Sequence, residues 1–291
     1  MHRQIALGAV LLAAAPIAAA ELARYRVTLA ADLATVMVEV QAPAPRRLVA
    51  WGDEESAMRL VPGTLANATL VQGRLQRVQA DAPIRYSADI QPRPSRPGSW
   101  RASGLAGLTL SDPRHWLWFP AGLGGADTIT VEFVLPEGIA VAAPWALRAG
   151  TEPTRSVYSV PAQLLDAQGL VAFGALTQRS VGQDGATLRL SIASRDPDEI
   201  VRFGAWAESV WRAARRSVAA PPGSMEQLLV VPVAQGREAV PWGEVRRGTG
   251  NSVLALVKRD GDAAERLEDW TLFHELAHLF HPYLGGDKWL A

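Results

Sequence analysis

The chain has 291 residues, enough to bury a sizeable core and to form two domains. Its 29 basic side chains balance 29 acidic ones, so charge points to neither a nucleic-acid partner nor an anionic membrane surface. The absence of cysteine excludes disulfides and lipid-modified cysteines.

The first twenty residues stand apart from the rest. His2 and Arg3 make a short basic start, Ile5 to Ile17 is an apolar run too short to span a membrane, and Ala18-Ala19-Ala20 precedes Glu21 as a small-residue cleavage site. Residues 1–20 are therefore expected to be a signal peptide. The protein is expected to be exported, periplasmic or secreted, with no stable membrane insertion after cleavage. A buried N-terminal helix is the alternative.

From Arg24 to about Ser194 short alternating runs are separated by Pro, Gly, Asp and Asn. Strands are expected over Tyr25 to Leu29, Thr35 to Val40, Leu70 to Val78, Thr128 to Leu135, Ser156 to Val160 and Thr187 to Ala193. No helical period of useful length interrupts them. This pattern predicts a β-rich N-terminal domain over 22–194, sandwich-like in architecture. Its stretch Asp112 to Pro120 holds Trp116 and Trp118, which suit either core and turn packing or a binding surface. His115 in the same stretch reads as structural.

At Asp196 the period changes. Asp196-Pro197-Asp198-Glu199 makes an N-cap and an acidic first turn, and Ile200, Phe203, Ala207, Val210, Trp211 and Ala214 follow at helical spacing. Arg212, Arg215 and Arg216 complement the dipole at the far end, before Pro221-Pro222-Gly223. Leu228 to Val233 reads as a strand, Gly236 to Gly250 as a long loop or hairpin, and Ser252 to Lys258 as a second strand. Asp262 can cap a final helix from Ala263 to His281, stopped by Pro282. Its stripe of Leu267, Trp270, Phe273, Ala277 and Phe280 is expected to pack into a core. The overall class is α+β, with a partial catalytic domain over 195–291.

That last helix carries His274-Glu275-Leu276-Ala277-His278, the H-E-x-x-H pattern of zinc peptidases. On a helix the two histidines are about 6 Å apart along the axis and about 40° apart around it, so both imidazoles can meet one Zn2+. Glu275 then lies beside the activated water as general base. Two surface histidines on an ordinary helix are the bland alternative, and the rarity of histidine, five in the chain, weighs against it.

With this order of elements the chain resembles the gluzincin metallopeptidases, and most of all the glycyl aminopeptidase family that often carries a C-terminal PDZ domain. Val131-Glu132-Phe133-Val134-Leu135-Pro136-Glu137-Gly138, leading to Ala143-Pro144-Trp145, is similar to that family's N-terminal module. The tail Gly286-Asp287-Lys288-Trp289-Leu290-Ala291 is similar to the tryptophan-leucine stretch that runs into Glu-Gly in gluzincins, where the glutamate is the third zinc ligand. The resemblance implies a thermolysin-like catalytic domain ending in the H-E-x-x-H helix, incomplete and truncated before that ligand. It also implies a Gly-Leu-Glu-His segment near the preceding strand, where this chain has Arg247-Gly248-Thr249-Gly250-Asn251-Ser252. The acid that would recognise a free amine is therefore not evident.

Within the chain, His281 lies about 10 Å beyond His274 along the helix, too far for both to reach one ion. The metzincin pattern needs glycine at position 281 and histidine at 284, where the chain has His281 and Leu284. Asp287 is the one plausible substitute ligand, because Gly285-Gly286 could fold it back. The expected activity is zinc-dependent hydrolysis of a peptide or protein substrate, with aminopeptidase mode possible and turnover impaired by the missing ligand. Peptides are expected along the strand Ser252 to Lys258. The rival is a non-catalytic exported binding protein with a vestigial peptidase half.

Overall fold

The computed structural model describes residues 21–42, 47–50, 53–80, 82–91, 107–123, 127–148, 154–161, 169–217, 225–234, 236–246 and 251–280. The expected signal peptide, His281 and Asp287 lie outside them. The chain is mostly β, with four sheets and few helices among the described residues.

The first half runs β1 (Glu21–Leu29), β2 (Thr35–Gln41), β3 (Arg47–Val49), α1 (Asp53–Arg59), β4 (Ala68–Val71), β5 (Arg74–Arg77) and β6 (Ile84–Asp89). It continues with β7 (Leu108–Ser111), a 3-10 turn at Pro113–His115, β8 (Phe119–Pro120), β9 (Thr128–Val134), β10 (Ala140–Ala142), β11 (Ala146–Leu147), β12 (Arg155–Pro161) and β13 (Val171–Gly174). These build a six-stranded sheet in the order β11-β12-β9-β1-β2-β6, a four-stranded sheet β4-β5-β3-β8 and a three-stranded sheet β10-β13-β7. Alternation decides which face is inward: Tyr25 and Val27 on β1, Val38 and Val40 on β2, and Ile84 and Tyr86 on β6 are all buried. They share one core with Leu48, Leu75 and Phe119 from the four-stranded sheet and Val171 and Phe173 from the three-stranded one.

Two local expectations are corrected here. Leu70 to Val78 is two strands, because Gln72 (φ 49°) and Gly73 (φ 68°) form a two-residue hairpin turn with Val71 opposite Arg74. A short helix, α1, also interrupts the β-rich half. It buries polar side chains, Ser56 and Arg59, and so has no apolar period to read. Arg59 donates to the carbonyls of Asp89 and Gln91 and to Glu55, which ties the helix down.

The second half runs β14 (Thr177–Gln183), β15 (Ala186–Ile192), α2 (Pro197–Ser217), β16 (Met225–Val233), β17 (Trp242–Arg246), β18 (Ser252–Lys258), α3 (Ala263–Glu268) and α4 (Thr271–Phe280). Its five-stranded sheet has the order β14-β15-β16-β18-β17. Strands β15, β16 and β18 are parallel, with α2 as the crossover between the first two. Strands β14 and β15 lie on the N-terminal side of the boundary at 194/195, yet they hydrogen-bond into this sheet.

Both faces of the sheet are covered, which explains the unbroken apolar run of β16. On one face Val230, Val253, Ala255 and Val257 meet Phe203, Trp206, Ala207, Trp211 and Ala214 of α2 and Leu272 and Leu276 of α4. On the other, Leu229, Val231, Leu254 and Leu256 meet Leu110 of β7 and Ala172 of β13. No helix among the described residues is long and apolar enough to cross a membrane.

The helix expected over 263–281 is broken in two at Asp269 and Trp270. Asp262 caps α3 as expected, and Glu265 completes a capping box with it. At Asp269 the backbone turns extended (φ −73°, ψ 115°) and its carboxylate accepts from Thr271 N (2.9 Å) and from Val240 N (2.8 Å). An aspartate that binds nearby backbone offers the chain an alternative to helix, and here it separates α3 from α4. Leu267 and Trp270 consequently leave the expected buried stripe and are 63% and 67% exposed.

Candidate metal-binding and catalytic site

Helix α4 presents two faces of opposite character. Leu272 and Leu276 point into the core beneath the sheet, which fixes the rotation of the helix. His274, Glu275 and His278 then fall on the flank, half-buried. The Nε2 atoms of His274 and His278 converge to 2.9 Å, with ring centroids 4.4 Å apart and planes at 86°. That is hydrogen-bond distance, one ring nitrogen donating to the other, and it brings together two nitrogens of the kind that zinc takes at about 2.0–2.1 Å per bond. Among the described residues, however, no three of His, Cys, Asp or Glu come together around a point that could hold a metal ion. The present donors fit two positions of a zinc site; a third protein ligand is not among the described residues.

Glu275 lies between the histidines in sequence and packs against β17. There Gly243 leaves room for its side chain, since a Cβ at that position would stand 2.5 Å from Glu275 Cγ. The Asp269 carboxylate sets the spacing between helix and strand by bonding the start of α4 and the lead-in to β17 at once. Sequence reasoning missed both residues. Asp269 read as one helical position among many, and Gly243 sat in a segment rich in glycine.

The strand Ser252 to Lys258, expected to line the substrate, is an interior strand. It is paired with β16 on one side and β17 on the other, so its backbone groups are committed to the sheet. The outermost strand beside α4 is β17. An acid does occur there. Glu244 follows Gly243, and by strand alternation it faces away from α4, lining a cleft with Pro144, Gln227 and Ser252. It also lies within electrostatic reach of Arg114, whose guanidinium is held by Asp112 through Nε (3.0 Å) and Nη2 (2.5 Å). The Asp112 hydrogen bond, first among the causes, raises the Arg114 pKa.

The remaining residues of the aromatic stretch are core. Trp116 and Trp118 are fully buried, and the Tyr86 hydroxyl joins them by donating to Trp116 O and accepting from Trp118 N, each at 3.0 Å. Burial raises the Tyr86 pKa well above its ordinary value, so the hydroxyl stays protonated to make this bridge. His115 Nε2 sits 3.3 Å from Glu55 Oε2. Burial lowers its pKa nevertheless, outweighing the pull of Asp112 and Glu55 in the other direction.

No protein-family model matches the sequence, and no curated protein does. Among solved structures, the chain is similar to the crystal structure of an aminopeptidase N family protein from Idiomarina loihiensis. The TM-score is 0.62 and the identity 14%, over 88% of this chain and 47% of the other. The chain spans about half the length of that protein. At this identity the likeness is one of fold: this mostly β chain resembles part of an aminopeptidase N structure.

Proposed function

We propose that this chain carries the catalytic helix of an exported, zinc-dependent peptidase, acting on peptide or protein substrates. The observation that carries the reading is the approach of His274 Nε2 and His278 Nε2 on α4, with Glu275 next to His274 on the same helix. Similarity of fold to part of an aminopeptidase N family protein supports peptidase ancestry. The signal-peptide pattern of residues 1–20 supports export to the periplasm or outside the cell, and the balanced charge supports a substrate other than nucleic acid.

In this reading His274 and His278 hold the ion and their mutual position is set by one helical turn. Zinc, when bound, supplies a Lewis acid and lowers the pKa of water to about 7. Glu275 accepts the proton as water attacks the scissile carbonyl and passes it to the leaving amine, the work of a general base and then a general acid. Its side chain lies against Gly243 of β17.

The test is Glu275→Gln. The variant should keep the zinc content of the parent and lose hydrolysis of a fluorogenic peptide by about 100-fold or more. Equal turnover in variant and parent would sink the mechanism.

A second reading, a non-catalytic exported binding protein with a vestigial peptidase half, is favoured by one observation: no third ligand stands near His274 and His278 among the described residues. The buried Trp116 and Trp118 lend it no support, since neither offers a surface. Metal analysis separates the two. Stoichiometric zinc that survives dialysis argues for the peptidase, and weak, easily chelated metal for the binding protein.

A further inference from the structure

The space beside Gly243 carries the inference. Strand β17 passes the first turns of α4, and Gly243 lies against Thr271 and Glu275. A Cβ built there would lie 2.5 Å from Glu275 Cγ, 3.2 Å from Thr271 Cγ2 and 3.3 Å from the Glu275 carboxyl carbon. Carbon atoms in ordinary contact stand about 3.5–4.0 Å apart, so one methyl group is already too much. The backbone of Gly243 is that of a regular strand, paired with Ala255 of β18, so conformation is not what requires glycine. Space is.

What would move if a side chain were added? The strand is held to β18 by its ladder, and its lead-in is tied to the helix start by Asp269, through Val240 N and Thr271 N. Thr271 is β-branched and stiff at χ1. The interior face of α4 is fixed by Leu272 and Leu276. The atoms that the added methyl meets first belong to the Glu275 side chain.

We propose that Gly243 is a positioning residue: its missing side chain forms the notch that holds the Glu275 side chain against β17. This rests on the peptidase reading for its consequence in turnover, whereas the contact itself can be measured without any activity. The residue acts through Glu275 and touches neither metal nor substrate.

The test is a cycle of Gly243→Ala in the parent chain and in a Glu275→Ala background. Truncating Glu275 removes the atoms that the new methyl would strike. In the parent, Gly243→Ala should lower Tm by about 2–4 °C, and in the Glu275→Ala background by clearly less. Zinc content should match the parent, while kcat for a fluorogenic peptide should fall by about 100-fold with KM little changed, because a displaced base still leaves binding intact. If Gly243→Ala fails to fold but the double variant folds, the contact with Glu275 is supported.

An equal loss of Tm in both backgrounds, or failure of both to fold, overturns the proposal by showing that something other than Glu275 requires glycine. Unchanged kcat in Gly243→Ala, where Glu275→Gln is inactive, also overturns it and leaves the peptidase reading standing. An active Glu275→Gln variant instead removes the peptidase reading, and the stability cycle still decides whether the notch exists.

Discussion

The indole of Trp270 meets the imidazole of His274 edge to face, with centroids 4.6 Å apart and planes at 76°. An exposed tryptophan in contact with a candidate metal ligand is a built-in reporter. Cobalt(II) added to the protein should quench part of the tryptophan emission. Trp270→Phe should remove that part, and His274→Ala should abolish it by removing a donor. Identical quenching in parent and Trp270→Phe would mean that cobalt binds elsewhere.

Asp269 joins two elements through two backbone donors, and Asp269→Ala leaves both without that acceptor. Val240, one of the two residues, is fully buried. The expected cost is about 1–3 kcal/mol in urea denaturation. Asp269→Asn, which keeps one acceptor oxygen, should fall between parent and alanine. A cost within experimental error for Asp269→Ala would show that water replaces the carboxylate without penalty.

The pair Arg215 and Glu226 joins α2 to β16 at 2.8 Å, with both side chains almost wholly out of solvent. Trp211 Nε1 donates to the same carboxylate at 3.3 Å, and the guanidinium lies over the rings of Trp211 and Phe280 at the end of α4. Glu226→Gln or Arg215→Met alone strands a buried charge and should cost about 3–5 kcal/mol, whereas Arg215→Met with Glu226→Leu should recover much of it. The discriminating measurement is guanidinium denaturation of all three variants. Additive losses in the double variant would refute the account.

His115 gives a pH dependence of definite sign. Burial lowers its pKa in the folded state below the ordinary 6.5, so the unfolded chain takes up the proton first. Its contribution to stability is present above about pH 6.5 and is lost as pH falls from there through the lowered folded value. His115→Gln should flatten the decline of Tm measured from about pH 7.5 down to about pH 5. A parallel decline in the variant would assign the effect to other groups.

The H-E-x-x-H helix and α2 were legible in the sequence for the same reason. Phe203, Ala207, Trp211 and Ala214 recur at helical spacing because they all meet one core, and His274 and His278 share a flank for the same geometric cause. What stayed hidden is polar or non-local. The helix break at Asp269 depends on a side chain choosing backbone donors, one of them far away in sequence at Val240. The value of Gly243 depends on what another element brings beside it. The pairing of β15 with β16 leaps across α2, and alternation alone cannot name a strand's neighbour. Leu267 and Trp270 were misread as core because a stripe continues on paper where the helix is interrupted between Glu268 and Thr271.

The parallel pairing of β15 with β16 and of β16 with β18 has a consequence for the order in which the molecule can be made. As the polypeptide grows, the hairpin of β14 and β15 exists first, with the outer rim of β15 awaiting residues that begin at Met225. When β16 arrives it inherits the same vacancy until Ser252 to Lys258 follow. During both intervals an apolar ribbon edge is open to any neighbouring chain, the situation in which strands pair with the wrong partner. The later stretch of synthesis thus protects what the earlier one leaves uncovered, and an arrest between Ile192 and Ser252 yields a sticky half-sheet.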